Sequence, residues 1–282
     1  MAEKAFLDGL RGLGYREGQT VRVETRNHLG KPELCPPLAA ELVALKPAVI
    51  FGTSPYGIGA LKAATSTIPI VGQDLESDPV AAGFVASLAR PGGNITGIFL
   101  DMPELSGKLL QFLKETLPRL TRVGVLWDAN IAELQFQAVQ GAAPIAGIRI
   151  HSLPIRKLDD LAPAVGGAAR ERVGAVVLLS SPFVSISRAE LAELLLKHRL
   201  PSISLFSIFA EAGGLFAYGP DFIGMFRQAA GFVDRVLRGA RPPEMPVERP
   251  TRFELIVNLK TAKALKLTIP PLVLGRADRT IQ

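Results

Sequence analysis

The sequence predicts an α/β protein built as two Rossmann-like lobes with parallel sheets. Short apolar segments alternate with amphipathic helical segments along nearly the whole chain, the pattern of strand–helix–strand units with right-handed crossovers. The length of 282 residues exceeds that of one ordinary domain and suits two. After a second complete α/β series, the chain adds one more strand and helix within PVERPTRFELIVNLKTAKALKLTIPPLVL, residues 246–274. The economical place for that pair is back in the first lobe. The expected division is therefore residues 1–100 plus 253–282 as an N-terminal lobe and 101–252 as a C-terminal lobe, joined by a multi-strand hinge.

The elements follow in order. Phe6, Leu10 and Leu13 share one face of an opening helix that Gly14 stops. Val21 and Val23 alternate with polar residues as a strand over 21–26. A helix is expected from about Pro37 to Leu45, then a short strand at 48–51. Ser54 and Pro55 turn that strand into another helix, as N-cap and first helical residue. Strands at 68–71 and 95–100 complete this half. The second half reads as a helix at 104–117, strand 122–127, helix 131–143, strand 148–153 and helix 158–171. The wholly apolar strand 175–179 suits a sheet covered on both faces. A helix at 187–198 and strands at 202–205 and 215–218 come next. From Asp221 to Leu237, Phe222, Met225, Phe226, Ala229, Val233, Val236 and Leu237 form the clearest apolar stripe in the chain. The tail gives a strand from Phe253 to Val257 and a helix from Lys260 to Leu265. In a doubly wound sheet of order 2-1-3-4-5 the first strand is central, and the first lobe here opens with what reads as the helix after that strand. The expectation is a first lobe lacking its first strand, either truncated or rearranged.

Composition narrows the function classes. Hydrophobic residues make up 48% and charged residues 21%, normal for a globular chain with real cores. The net charge is +6, but Lys and Arg are interleaved with acids, and aromatics are 6%. Neither a basic face nor a stacking platform for nucleic acid emerges, and no nucleic-acid partner is expected. Cys35 stands alone, so no disulfide forms within the chain. No segment approaches the roughly 18 apolar residues of a membrane span, and residues 1–30 do not read as a leader peptide.

Catalytic motifs fail in turn. His28, His151 and His198 form neither an HExxH nor an HxH pair, and no metal site is expected. Gly52-Thr53-Ser54-Pro55-Tyr56 resembles a GxSxG nucleophile elbow, but Tyr56 fills the second glycine position. Gly57-Ile58-Gly59 lies inside a helix, and no GxxxxGK[ST] loop exists, so no cofactor is expected. What remains is a set of polar and aromatic residues just past strand C-terminal ends, the edge where open α/β sheets bind ligands. These are Thr53, Ser54, Asp74 and Asp78 in the first half. In the second they are Asp128, Ser180, Ser181, Phe183, Phe206, Tyr218 and Asp221. Amides at the start of the Pro55 helix favour a carboxylate, and Asp residues answer an ammonium group, which together suit an amino-acid-like ligand. Competing readings make Ser54, Asp128 and Asp221 helix caps, Asp78 a turn, and Phe183 and Phe206 core.

Several stretches resemble one family: the ABC-transporter substrate-binding proteins with a type I periplasmic-binding fold, of the tryptophan/tyrosine-type group. They are LDGLRGLGYREGQTVRVETR, AAELVALKPAVIFG, ATSTIPIV, DPVAAGFVASLARPGGNITG, ELSGKLLQFLKETLPRLTRVGVLW, AEAGGLFAYGPD and PTRFELIVNLKTAKALKLTIPP. The resemblance implies a secreted protein that captures a small ligand between two lobes and delivers it to a membrane permease driven by a separate ATPase; a periplasmic or extracytoplasmic monomer that catalyses no reaction is expected. It maps ligand loops onto Gly52–Pro55, Asp78-Pro79, Ser180–Phe183 and Tyr218–Asp221. The family pattern also includes a leader and a first strand that this sequence does not show. The segment Val71–Ser77 is unusually acidic, signalling either a cationic ligand group or a solvated loop, the latter preferred. Two other classes stay open: a ligand-sensing module of a regulatory or receptor assembly with the same fold, and an enzyme such as a sugar-nucleotide epimerase.

Overall fold

The computed structural model describes residues 2–100 and 104–282, and they form an α/β fold with mostly parallel sheets. The chain divides into two compact units, residues 1–101 with 222–251 and residues 102–221 with 252–282.

The first unit holds a three-stranded parallel sheet in the order β1 (Ile50–Thr53), β2 (Ile70–Asp74), β3 (Ile95–Phe99). Helices Cys35–Ala44 and Ser54–Ala64 cover one face, where Ile50, Ile58, Leu61, Ile70, Ile95 and Phe99 form a dry core. Helices Ala2–Gly12 and Phe222–Leu237 pair with each other. An aromatic series binds them to the sheet: Phe6 stacks on Phe51 at 4.6 Å, and Phe226 meets Phe51 edge-on at 5.8 Å. Glycine is required where β2 and β3 cross closely. Gly97 has φ +140, and a Cβ there would lie 1.9 Å from the Gly72 carbonyl oxygen. Beyond β3 the returning chain adds a bridge between Ile98 and Glu248, and Thr96 Oγ1 donates to the Met245 carbonyl at 2.8 Å.

The second unit holds seven strands: β4 (Arg122–Asp128), β5 (Arg149–Ile155), β6 (Ala175–Leu178), β7 (Ser202–Ser204), β8 (Phe216–Pro220), β9 (Phe253–Asn258) and β10 (Arg279–Ile281). Their order is β10-β9-β8-β7-β6-β4-β5. The five strands β4 to β8 are parallel and follow the 2-1-3-4-5 doubly wound order. Helices Leu161–Arg170, Pro182–Ile186 and Arg188–Lys197 share a core with Leu126, Val176 and Leu178. Trp127, on the opposite face of β4, stacks on Phe136 of helix Glu133–Ala142 at 4.3 Å.

Three expectations are corrected here. The tail does not return to the first unit: β9 pairs antiparallel with β8, Phe216 opposite Val257 and Ala217 opposite Ile256, and β10 pairs parallel with β9. Burial decides this, because Ile256 joins Ala210, Ala217 and Ile281 in a closed cluster on that edge. Conversely, the helix Phe222–Leu237 belongs to the first unit rather than to the 101–252 block, its apolar stripe being consumed by the helix Ala2–Gly12 and the β2–β3 face. Finally, residues 21–26 form no strand. Val21 makes one isolated bridge to Glu17, and β1 is the sheet edge. In a 2-1-3 arrangement that segment would pair with a strand preceding the opening helix, and no such strand occurs among the described residues.

Candidate functional site

In the first unit, parallel register brings three strand ends level. Thr53 pairs with Gln73, and Asp74 with Phe99. The chain turns sharply after β1: Ser54 has φ 62, a left-handed conformation uncommon for a residue with a Cβ and typical of ligand loops. Thr53 is exposed, and Ser54 Oγ accepts from Gly57 N at 3.5 Å, so Ser54 contributes to capping the helix Ser54–Ala64.

β2 runs further than the apolar run 68–71, so its last residues are polar yet buried: Gln73 is 4% exposed and Asp74 0%. Asp74 Oδ1 accepts from Glu76 N at 2.8 Å, and Ser77 Oγ donates to Asp74 Oδ2. Burial raises the Asp74 pKa, against the lowering effect of hydrogen bonds with the Glu76 and Ser77 side chains and amides. Leu75 and Glu76 are also buried. The acidic segment is thus an enclosed turn at the strand edge, which corrects the reading of a solvated loop. Asp78 accepts from Val80 N at 2.8 Å and Ala81 N at 3.2 Å, closing the next turn.

In the second unit, β4 and β6 are neighbours from which the chain winds outward in opposite directions, the switch point of a doubly wound sheet. Asp128 ends β4, and Ser180 and Ser181 follow β6; all three are buried. Ser181 Oγ donates to Asp128 Oδ2 at 3.3 Å, and Asp128 Oδ1 accepts from Asn130 N and Nδ2, both at 3.0 Å. Ser180 N donates to Gln135 Oε1 at 3.2 Å. Ser181 also caps the helix Pro182–Ile186 by accepting from Phe183 N. Phe183 belongs to the core cluster, and Phe206, 3% exposed, precedes the helix Ser207–Glu211.

Tyr218 stands three strands from β4 and faces a different neighbourhood. Its ring meets Phe112 at 4.9 Å, and Lys108 Nζ donates to its hydroxyl at 3.1 Å. Asp221 follows β8 with Arg252 at 3.9 Å, and its amide donates to the Arg252 carbonyl. Glu254 on β9 lies on the same edge, opposite Gly219. Burial raises its pKa, opposed by a hydrogen bond with the Ser207 side chain.

The structure therefore groups Thr53, Ser54, Asp74 and Asp78 on one edge, and Asp128, Ser180, Ser181 and Phe183 at the switch point of the other unit. Phe206, Tyr218 and Asp221 lie further along that second sheet. Gln73, Glu76, Asn130, Gln135 and Glu254 were not singled out from the sequence. Polar residues ending an apolar strand are the signal that could have found Gln73 and Glu76. Among the described residues no cluster of three His, Cys, Asp or Glu side chains is placed to hold a metal ion.

Comparison with known proteins agrees with this architecture. A family model for ABC transporter substrate binding proteins matches residues 1–281. The chain is 26% identical over 271 residues to a "Tyrosine-binding protein" of Clostridioides difficile (strain R20291), covering 94% of this chain and 76% of that protein. A conserved domain protein of Vibrio cholerae superposes with a TM-score of 0.92 at 27% identity, over 99% of this chain and 94% of the other. An ABC domain from Streptococcus pneumoniae, solved in complex with L-Trp, gives a TM-score of 0.91 at 23% identity over the same shares. The same type I periplasmic-binding fold extends to an ABC transporter solute-binding protein of Burkholderia multivorans and a periplasmic binding protein/LacI transcriptional regulator of Alkaliphilus metalliredigens. The chain belongs to the ABC transporter substrate-binding protein family.

Proposed function

We propose that this protein is the extracytoplasmic binding component of an ABC importer. It captures one small amino-acid-like or hydrophobic carboxylate ligand and passes it unchanged to a membrane permease served by a separate ATPase, acting as a monomer without catalysing a reaction. The observation that carries this reading is the concentration of buried polar groups past the ends of parallel strands in each unit, Asp74 and its turn in one and the Asp128–Ser181 pair in the other. Such groups fix the orientation of a small ligand, and pocket shape supplies selectivity. The left-handed Ser54 leads into a helix whose positive dipole end suits a carboxylate. The names of its relatives, which bind tyrosine and tryptophan, favour an amino acid.

The chain crosses between its two units three times, after residues 101, 221 and 251. That connectivity supports a cycle in which ligand shifts the population of unit arrangements, the change the permease reads. A thermal-shift screen of the full chain against the common L-amino acids and aromatic carboxylic acids tests the reading. One chemical class should raise the Tm by a few degrees, as about 1–3 kcal/mol of linkage would. No shift from any compound, or conversion of a bound compound over hours by NMR, would overturn it.

A further inference from the structure

We propose that Gln73 is a specificity-determining residue of the ligand site, its side-chain carbonyl accepting a hydrogen bond from the ligand's α-ammonium group; this rests on the function proposed above. Gln73 is the penultimate residue of β2 and 4% exposed, and its Oε1 has no hydrogen-bond partner among the described residues. Buried side-chain acceptors are nearly always paired, and one left open at a strand end calls for a donor from outside the chain. Its register neighbours do not pair with it: Ile98 on β3 is apolar, and no hydrogen bond joins it to Thr53 on β1.

The neighbourhood selects the donor. Strands lie about 4.8 Å apart, so Thr53 and Gln73 stand side by side on one face at this edge. The residue after Thr53 opens the helix Ser54–Ala64, whose positive dipole end suits a carboxylate. In an amino acid the ammonium sits one carbon from the carboxylate, within about one strand spacing of it. Asp74 is already engaged by Glu76 N, Ser77 N and Ser77 Oγ, and strand alternation points it to the other face. Gln73 supplies the open acceptor there, and being neutral it avoids the cost of burying a second carboxylate.

The test is calorimetric titration of the full chain and of Gln73→Met with each of the common L-amino acids that binds, and with its des-amino carboxylic acid. The wild type should prefer the amino acid. Gln73→Met should lose about tenfold or more in affinity for the amino acid, hold the des-amino acid within about threefold, and keep an equal or higher ligand-free Tm because an unpaired buried acceptor is gone. A merely structural Gln73 would lower the Tm and shift both ligands alike. Equal amino-acid affinity in wild type and Gln73→Met overturns the assignment and leaves the transport reading standing. A wild type that binds only des-amino acids overturns the assignment too, and one that binds neither compound class overturns both. Should Gln73→Met not fold, Gln73→Glu and Gln73→Ala decide: affinity kept by the first and lost by the second supports the assignment, and equal affinities overturn it.

Discussion

Asp74 lies fully buried at the end of β2, its carboxyl bound to the turn that follows. Because burial raises its folded pKa above the unfolded value, the folded state holds the proton more tightly. Its contribution to stability is therefore complete below the unfolded pKa near about 4 and is lost as pH rises through the folded pKa. Asp74→Asn mimics the protonated form at every pH. Its Tm should match the wild type near about pH 4 and exceed it increasingly toward neutrality, as thermal unfolding across that range will read. A difference constant with pH would show that the Asp74 charge does not matter. None of this was visible in the one-dimensional pattern, where Gln73-Asp74-Leu75-Glu76 reads as a polar loop. Ser54 was legible as a cap, since Ser before Pro at a strand end is a strong helix start. Its left-handed backbone was not, because nothing in residue type alone announces it.

Among elements, the helices and the interior strands followed from periodicity, and the apolar run at Ala175 correctly marked a strand covered on both faces. Pairing was harder to read. A strand such as Phe253–Asn258 states that it must be buried, but not beside which partner. β8 offered an open edge, and the chain took it antiparallel. Asn258 then fixes the tail. Its Oδ1 accepts from Thr261 N at 3.0 Å, capping the helix Leu259–Ala264, and its Nδ2 donates to the Ala210 carbonyl at 2.9 Å. Asn258→Ala removes a buried cap and a cross-element bond together, so it should cost about 2–3 kcal/mol and lower the Tm by about 5 °C or more. A change under about 1 °C in differential scanning calorimetry would mean that the tail is held by its apolar contacts alone.

At the scale of the whole molecule, the two α/β units were legible because alternation and length both called for them. Their memberships were not, since the exchange of Phe222–Leu237 for the tail depends on which open face each segment finds. The candidate ligand residues were legible as a class, strand-end polar groups, in both units. Their individual weights were not: Phe183 is committed to the core and Tyr218 to Phe112 and Lys108, whereas Asp128 and Ser181 meet at the switch point. The central claim is that the chain binds one small ligand, which leaves chemically unchanged. Isothermal titration of the wild type with the amino acid that stabilises the chain most, with the ligand recovered afterwards, tests it directly. One saturable site per chain is expected, with the ligand recovered intact. No saturable binding, or a ligand recovered chemically altered, would contradict it.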